Sequence, residues 1–268
     1  MSIIRSVVFL TVVAFCASLL SQERPKPPQR DPMLVEVLTR VVNVAGGVRA
    51  LAAVHDLTES GEITFHWGEG VKGPVTIQTL GGNHFRMEVD LPKGKSTWLV
   101  TDGVGSKKEA DHKAVPISNE NAINIGNLTL PIAYVAAALS DPTTDVSLVG
   151  IEKRAGRSIY RLRLKGQLGL VAGRVPGISV EKDILVDALT FNIVSVGDLP
   201  LRTHKSSKST GKQPDFPMRE IEYGDFRVID GVRVPFSIST KLVGQETLSI
   251  ILSHVTFNSN LSAETFNQ

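Results

Sequence analysis

The sequence predicts a mainly β protein: one strongly curved antiparallel sheet of about eleven strands, covered by a few α-helices. Three observations carry this. Long stretches alternate apolar and polar residues with a period of two, which is the pattern of strands with one covered face and one wet face. Short turn signals separate them, the clearest being Asp230-Gly231 in "FRVIDGVRVPFSI", where glycine tolerates the positive φ of a tight primed turn. Only two intervals break the rhythm with helical periodicity, so the helices are a cover and not alternating partners of the strands.

The elements follow in chain order. Arg5 precedes the uncharged, mostly apolar run "SVVFLTVVAFCASLL", which is shorter than the roughly 20 residues a bilayer span needs and suits a secretory signal core. We read residues 1–21 as a signal peptide, with an uncleaved membrane anchor as the alternative. Residues 22–32, "QERPKPPQRDP", read as a proline-rich linker. A single domain over 33–268 is expected after it. Its first element is helical, with Leu34, Val37, Leu38, Val41 and Val42 at helical spacing, Asp31 as cap and Pro32 at the first position. Gly46-Gly47 ends or bends it, and residues 48–54 resume it.

From Leu57 the period becomes two. Ile63, Phe65 and Trp67 alternate with Glu62, Thr64 and His66; Phe85, Met87, Val89 and Leu91 alternate with His84, Arg86, Glu88 and Asp90. "STWLVTD" is a further strand. The low-charge segment 121–142 interrupts the pattern, and Pro131–Leu139 reads as a short helix. Strands resume over 146–151, 158–165, 179–187, 190–196 and 219–228, then in the Asp-Gly hairpin and over 246–257.

The leading "AGGVRALAAVHDLTESGEITF", the meander, the low-charge helical interval and the closing "EYGDFRVIDGVRVPFSISTKLVGQETLSIILSHVTFNSNLSAETF" together resemble the exported LolA-like proteins, known as outer-membrane lipoprotein-sorting-protein-like. The resemblance covers roughly residues 33–266. It implies a half-open barrel with a concave apolar face capped by helices, in the periplasm of a double-membrane bacterium. It further implies binding of a lipid or a lipoprotein acyl chain. The family's cargo-gating arginine is not assigned to a specific position here, so no residue is carried across.

Composition narrows the function classes. The net charge of +2 gives no global attraction to nucleic acid. Cys16 is the single cysteine and lies in the leader, so the mature chain would have no disulfide, thiolate metal site or cysteine nucleophile. The six histidines show no paired metal spacing, "GVGSKK" lacks the spacing of a phosphate loop and reads as a turn, and no nucleophile elbow is present. No catalytic residue, metal or cofactor is expected, and the chain is read as a non-enzyme.

Shared strand parity places Ile63, Phe65, Trp67, Phe85, Met87, Val89, Trp98, Phe236 and Ile238 on the face expected to hold a hydrophobic ligand. Helices around residues 34–54 and 131–139 would form its lid. Two loops are candidate lid, membrane or partner contacts: the apolar one with Leu168, Leu170, Val171 and Val175, and the basic one with Arg202, Lys205, Lys208 and Lys212. The expected partners are a hydrophobic ligand or acylated protein and, transiently, a membrane or envelope protein; the chain is expected to be monomeric. The competing reading is a non-catalytic envelope interaction module with a filled β core.

Overall fold

A computed structural model describes residues 30–67, 70–126, 128–140, 144–166, 180–199 and 218–267. The expectations for the signal peptide fall outside the described residues, as do both loop expectations: Leu168, Leu170, Val171 and Val175, and Arg202, Lys205, Lys208 and Lys212.

Helix α1 (Pro32–Val44) starts as its sequence dictates: the Asp31 carboxylate accepts from the Met33 amide at 2.8 Å, and Pro32 fills the first turn where no donor is needed. Its buried stripe is Leu34, Val37, Leu38, Val41 and Val42. The short α2 (Gly47–Ala52) follows across Gly46. Gly46 has φ +125°, and a Cβ there would sit 2.4 Å from the Gly231 carbonyl oxygen, so the helix link packs directly on the Asp230-Gly231 turn.

Among the described residues there are thirteen strands: β1 (Asp56–Phe65), β2 (Val71–Leu80), β3 (His84–Leu91), β4 (Gly94–Thr101), β5 (Val104–Glu109), β6 (Val115–Ile117), β7 (Asp145–Arg154), β8 (Arg157–Gly166), β9 (Val180–Asp187), β10 (Ile193–Asp198), β11 (Arg219–Ile229), β12 (Val232–Leu242) and β13 (Gln245–Phe257). Between β6 and β7 lie α3 (Asn119–Gly126) and α4 (Ile132–Ser140). All strands join one antiparallel sheet in the order β6-β5-β4-β3-β2-β1-β13-β12-β11-β10-β9-β8-β7. The first strand therefore pairs with the last at the centre of the sheet, and β6 and β7 stand at the two ends of the order. The curved sheet does not close.

Two strands exceed the sequence expectation, and one corrects it. "GVGSKK" is not a turn throughout: the chain turns at Asp102-Gly103 and continues as β5. Its apolar signal is weak because Gly105 occupies an inward position beneath Ala122, while Lys107 lays its ammonium 5.0 Å from the centre of the Trp98 ring. The Asp230-Gly231 hairpin forms as expected, with φ of 48° and 84°, the two positive values a type I′ turn requires.

The outer face of β7–β12 is an ion-pair lattice. Arg161 and Arg163 both hold Asp183, Arg154 bridges Glu220 (2.5 Å) and Glu222 (2.9 Å), and Lys241 reaches Glu222 at 2.6 Å. For Glu220, burial would raise the pKa, but hydrogen bonds from Arg154 and Ser195 outweigh it and hold the carboxylate below its ordinary range.

Candidate functional site

Cross-strand register turns the apolar parity into a continuous floor. Phe85, Met87 and Val89 on β3 stand opposite Thr79, Ile77 and Val75 on β2, and opposite Val100, Trp98 and Ser96 on β4. Across the centre, Ile63 pairs with Ile250, and Ile250 with Ile238. Beyond them Thr240 faces Ile221, Ile221 faces Val196, Val196 faces Ile184 and Ile184 faces Leu162.

Seven of the nine residues expected on the ligand face are buried in this common core: Ile63, Phe65, Phe85, Met87, Val89, Phe236 and Ile238. Trp98 is partly buried against it. Trp67 differs: it lies just past the end of β1, is 59% exposed, and stacks on Phe65 at 4.9 Å between ring centres. It belongs to the rim because the strand that would carry it inward has ended.

The helices cover this floor. Ala122 of α3 packs over Gly105, Tyr134 of α4 lies over Lys182, and Ile132, Tyr134 and Val135 are buried. Val41 and Ala45 of the α1 segment, Ile132, Ile193, Phe226 and Arg233 line a cleft of about 20 Å³, room for about one water. A larger groove of about 240 Å³ lies elsewhere, lined by Arg86, Glu88, Lys95, Thr97 and Asn267. Its charged walls suit polar contacts and not an acyl chain.

No family model matches the sequence, and no curated protein matches it at a significant level. Solved structures do match. A LolA superfamily protein from Nitrosomonas europaea is similar with a TM-score of 0.54 and 11% identity, over 85% of this chain and 96% of that one. A DUF1329 family protein from Desulfovibrio piger has a TM-score of 0.53 and 12% identity, over 88% of this chain and 98% of that one.

The fold is LolA-like.

Within this LolA-like frame, the inner face holds polar groups that the parity analysis passed over. Glu59 shares the parity of Leu57, Ile63 and Phe65 and stands between Ile77 and Val255. It is 0% exposed, and among the described residues neither carboxylate oxygen has a hydrogen-bond partner of good geometry. Burial pushes its pKa up to about 7, with only the Thr129 hydroxyl opposing. A carboxylate on an apolar parity was the available signal.

On the other half of the floor, Lys182, Asp198 and Arg219 occupy one row across β9, β10 and β11. The inward parity shared by Lys182, Ile184 and Val186 marks the lysine. Nothing local marks its partners, because the register of β10 on β9 and β11 sets that row.

Proposed function

We propose that this chain is an exported, non-enzymatic carrier of a hydrophobic ligand (a lipid or the acyl chain of an acylated protein) in the envelope of a double-membrane bacterium. On this reading residues 1–21 are the leader, 22–32 a tether, and 33–268 the carrier domain, acting as a monomer. The observation that carries the reading is the floor itself: a continuous apolar face of an unclosed sheet, roofed by helices. The similarity in fold to a LolA superfamily protein supports it.

The physical argument is one of exchange. An acyl chain in water loses about 0.8 kcal/mol per methylene relative to an apolar site. The stripe of α1 and the inner side of α4 pack over that site. A ligand would displace part of this roof, exchanging helix-to-floor contacts for chain-to-floor contacts. Such near-balanced exchange permits uptake without irreversible retention. Ile63, Phe65, Phe85, Met87, Val89, Phe236 and Ile238 would form the floor, and Trp67 and Trp98 its rim.

Detergent-free protein titrated with N-phenyl-1-naphthylamine tests this. Saturable one-to-one uptake, competed by a long-chain lipid, is the expected result. A specific observation favours the second reading, the filled interaction module: the floor side chains are packed to near-zero exposure beneath the helices. That reading requires no saturable uptake at any dye concentration.

A further inference from the structure

The row formed by Lys182, Asp198 and Arg219 is the centre of a polar island on the inner face. Lys182 is 2% exposed; its ammonium is paired with the Asp198 carboxylate and donates to Asn124 Oδ1 of α3 at 3.2 Å. The Arg219 guanidinium donates to the Asn124 carbonyl oxygen at 3.3 Å. From the roof, α4 places the Tyr134 ring 5.4 Å from the Lys182 ammonium. Tyr223 of β11 shares the parity of Arg219 and Ile221, and lies within electrostatic reach of Tyr134, Asp198 and Arg219.

The hydroxyls of Tyr134, Tyr223 and Thr240 are buried, and none has a partner among the described residues. A buried hydroxyl without a partner is unfavourable. Two of them, those of Tyr134 and Tyr223, lie beside two cations and one carboxylate and leave an island rich in donors, with a formal charge of +1. Water could accept from the hydroxyls but leaves that charge unbalanced. Acceptor oxygens carrying one negative charge complete both.

We propose that this island is a head-group subsite for a single-chain lipid ending in a carboxylate, whose oxygens accept hydrogen bonds from the Tyr134 and Tyr223 hydroxyls beside Arg219 and Lys182. The chain would run over the adjoining row of Ile184, Val196 and Ile221 towards Ile238. The assignment rests on the carrier reading above and gives it a ligand class. A phosphate dianion exceeds the charge of the island by one, and an ester or alcohol leaves it unbalanced.

Detergent-free wild type and the Tyr134→Phe/Tyr223→Phe variant are titrated with palmitate, methyl palmitate, hexadecyl phosphate and inorganic phosphate. Charge-assisted hydrogen bonds are the stronger kind, so wild type is expected to hold palmitate about tenfold more tightly than methyl palmitate. In the double variant, which keeps the charge of Lys182 and Arg219 but lacks both hydroxyl donors, that ratio falls severalfold. The substitution removes only unpartnered hydroxyls and keeps both rings; Tyr223→Phe alone, read by the same ratio, serves if the double variant does not fold.

A ratio near one in wild type, or a tenfold ratio that survives in the variant, overturns the head-group subsite while leaving the carrier reading standing. Tighter binding of hexadecyl phosphate than of palmitate, or binding of inorganic phosphate alone, overturns the carboxylate assignment. If neither palmitate nor methyl palmitate binds, the carrier reading itself has failed.

Discussion

Replacing Glu59 by glutamine keeps the size of a fully buried side chain and removes only its ability to ionise, so its effect is confined to a pH window. The carboxyl titrates near its ordinary 4.5 in the unfolded chain and at about 7 in the folded one. Between these values the folded state holds a proton that the unfolded state has lost. Stability therefore falls as pH rises through the window, and levels off above about 7. From pH 5 to pH 8 the loss is about 2.5 kcal/mol, from a pKa displacement worth about 1.4 kcal/mol per unit.

Partly buried carboxylates act in a different window. Glu88, Asp187 and Glu220 are held low, because hydrogen bonds and nearby cations outweigh the effect of burial; their contribution is lost as pH falls below the ordinary carboxylate range. Urea denaturation of wild type and Glu59→Gln at pH 5 and pH 8 isolates the effect. The two proteins should be within about 1 kcal/mol at pH 5, and the variant should gain about 2.5 kcal/mol over wild type by pH 8. Parallel pH profiles would refute the reasoning, because Glu59 would then be ionised or solvated in the folded protein.

Three further outcomes are expected. Gly61→Ala should destabilise the fold by more than about 2 kcal/mol in urea, because its Cβ would stand 2.1 Å from the Ile251 carbonyl oxygen and 2.8 Å from the Leu252 Cα. Asp56→Ala should cost about 1–3 kcal/mol and speed amide exchange at Ser259 and Asn260, whose N–H groups the Asp56 carboxylate accepts at 2.7 and 3.1 Å. Phe85→Ala should cost about 3–5 kcal/mol, whereas Trp67→Ala should cost under about 1 kcal/mol, a contrast that thermal unfolding of the two variants reads directly.

The covered face was legible because alternation survives wherever one side of a strand is wet: Phe85, Met87 and Val89 needed no structure to be grouped. The helix start at Asp31-Pro32 and the Asp230-Gly231 turn were legible because each rests on local backbone chemistry. Pairing of β1 with β13 was not, since it joins residues about two hundred positions apart through contacts that leave no local trace. Ser253 is the extra residue where β13 crosses from Leu252 opposite Gly61 to His254 opposite Ser60. That bulge moves the inward positions of β13 from even numbers to odd, so strict alternation misassigns Val255 and Phe257. Trp67 lies at the rim for a related reason: parity extends a strand in principle, but β1 stops at Phe65. The island around Lys182 depended on register across three strands and on two helices, and only its lysine carried a sequence signal, an inward parity that the alternation analysis passed over.

The central claim is that the roofed apolar floor takes a hydrophobic ligand. The full precursor, expressed with its leader and purified from the periplasm without detergent, is examined by native mass spectrometry followed by organic extraction. The account predicts a stoichiometric adduct in the mass range of a lipid or an acylated peptide, which the extract then identifies. A clean apo mass that stays unchanged after incubation with palmitate and long-chain esters would contradict it.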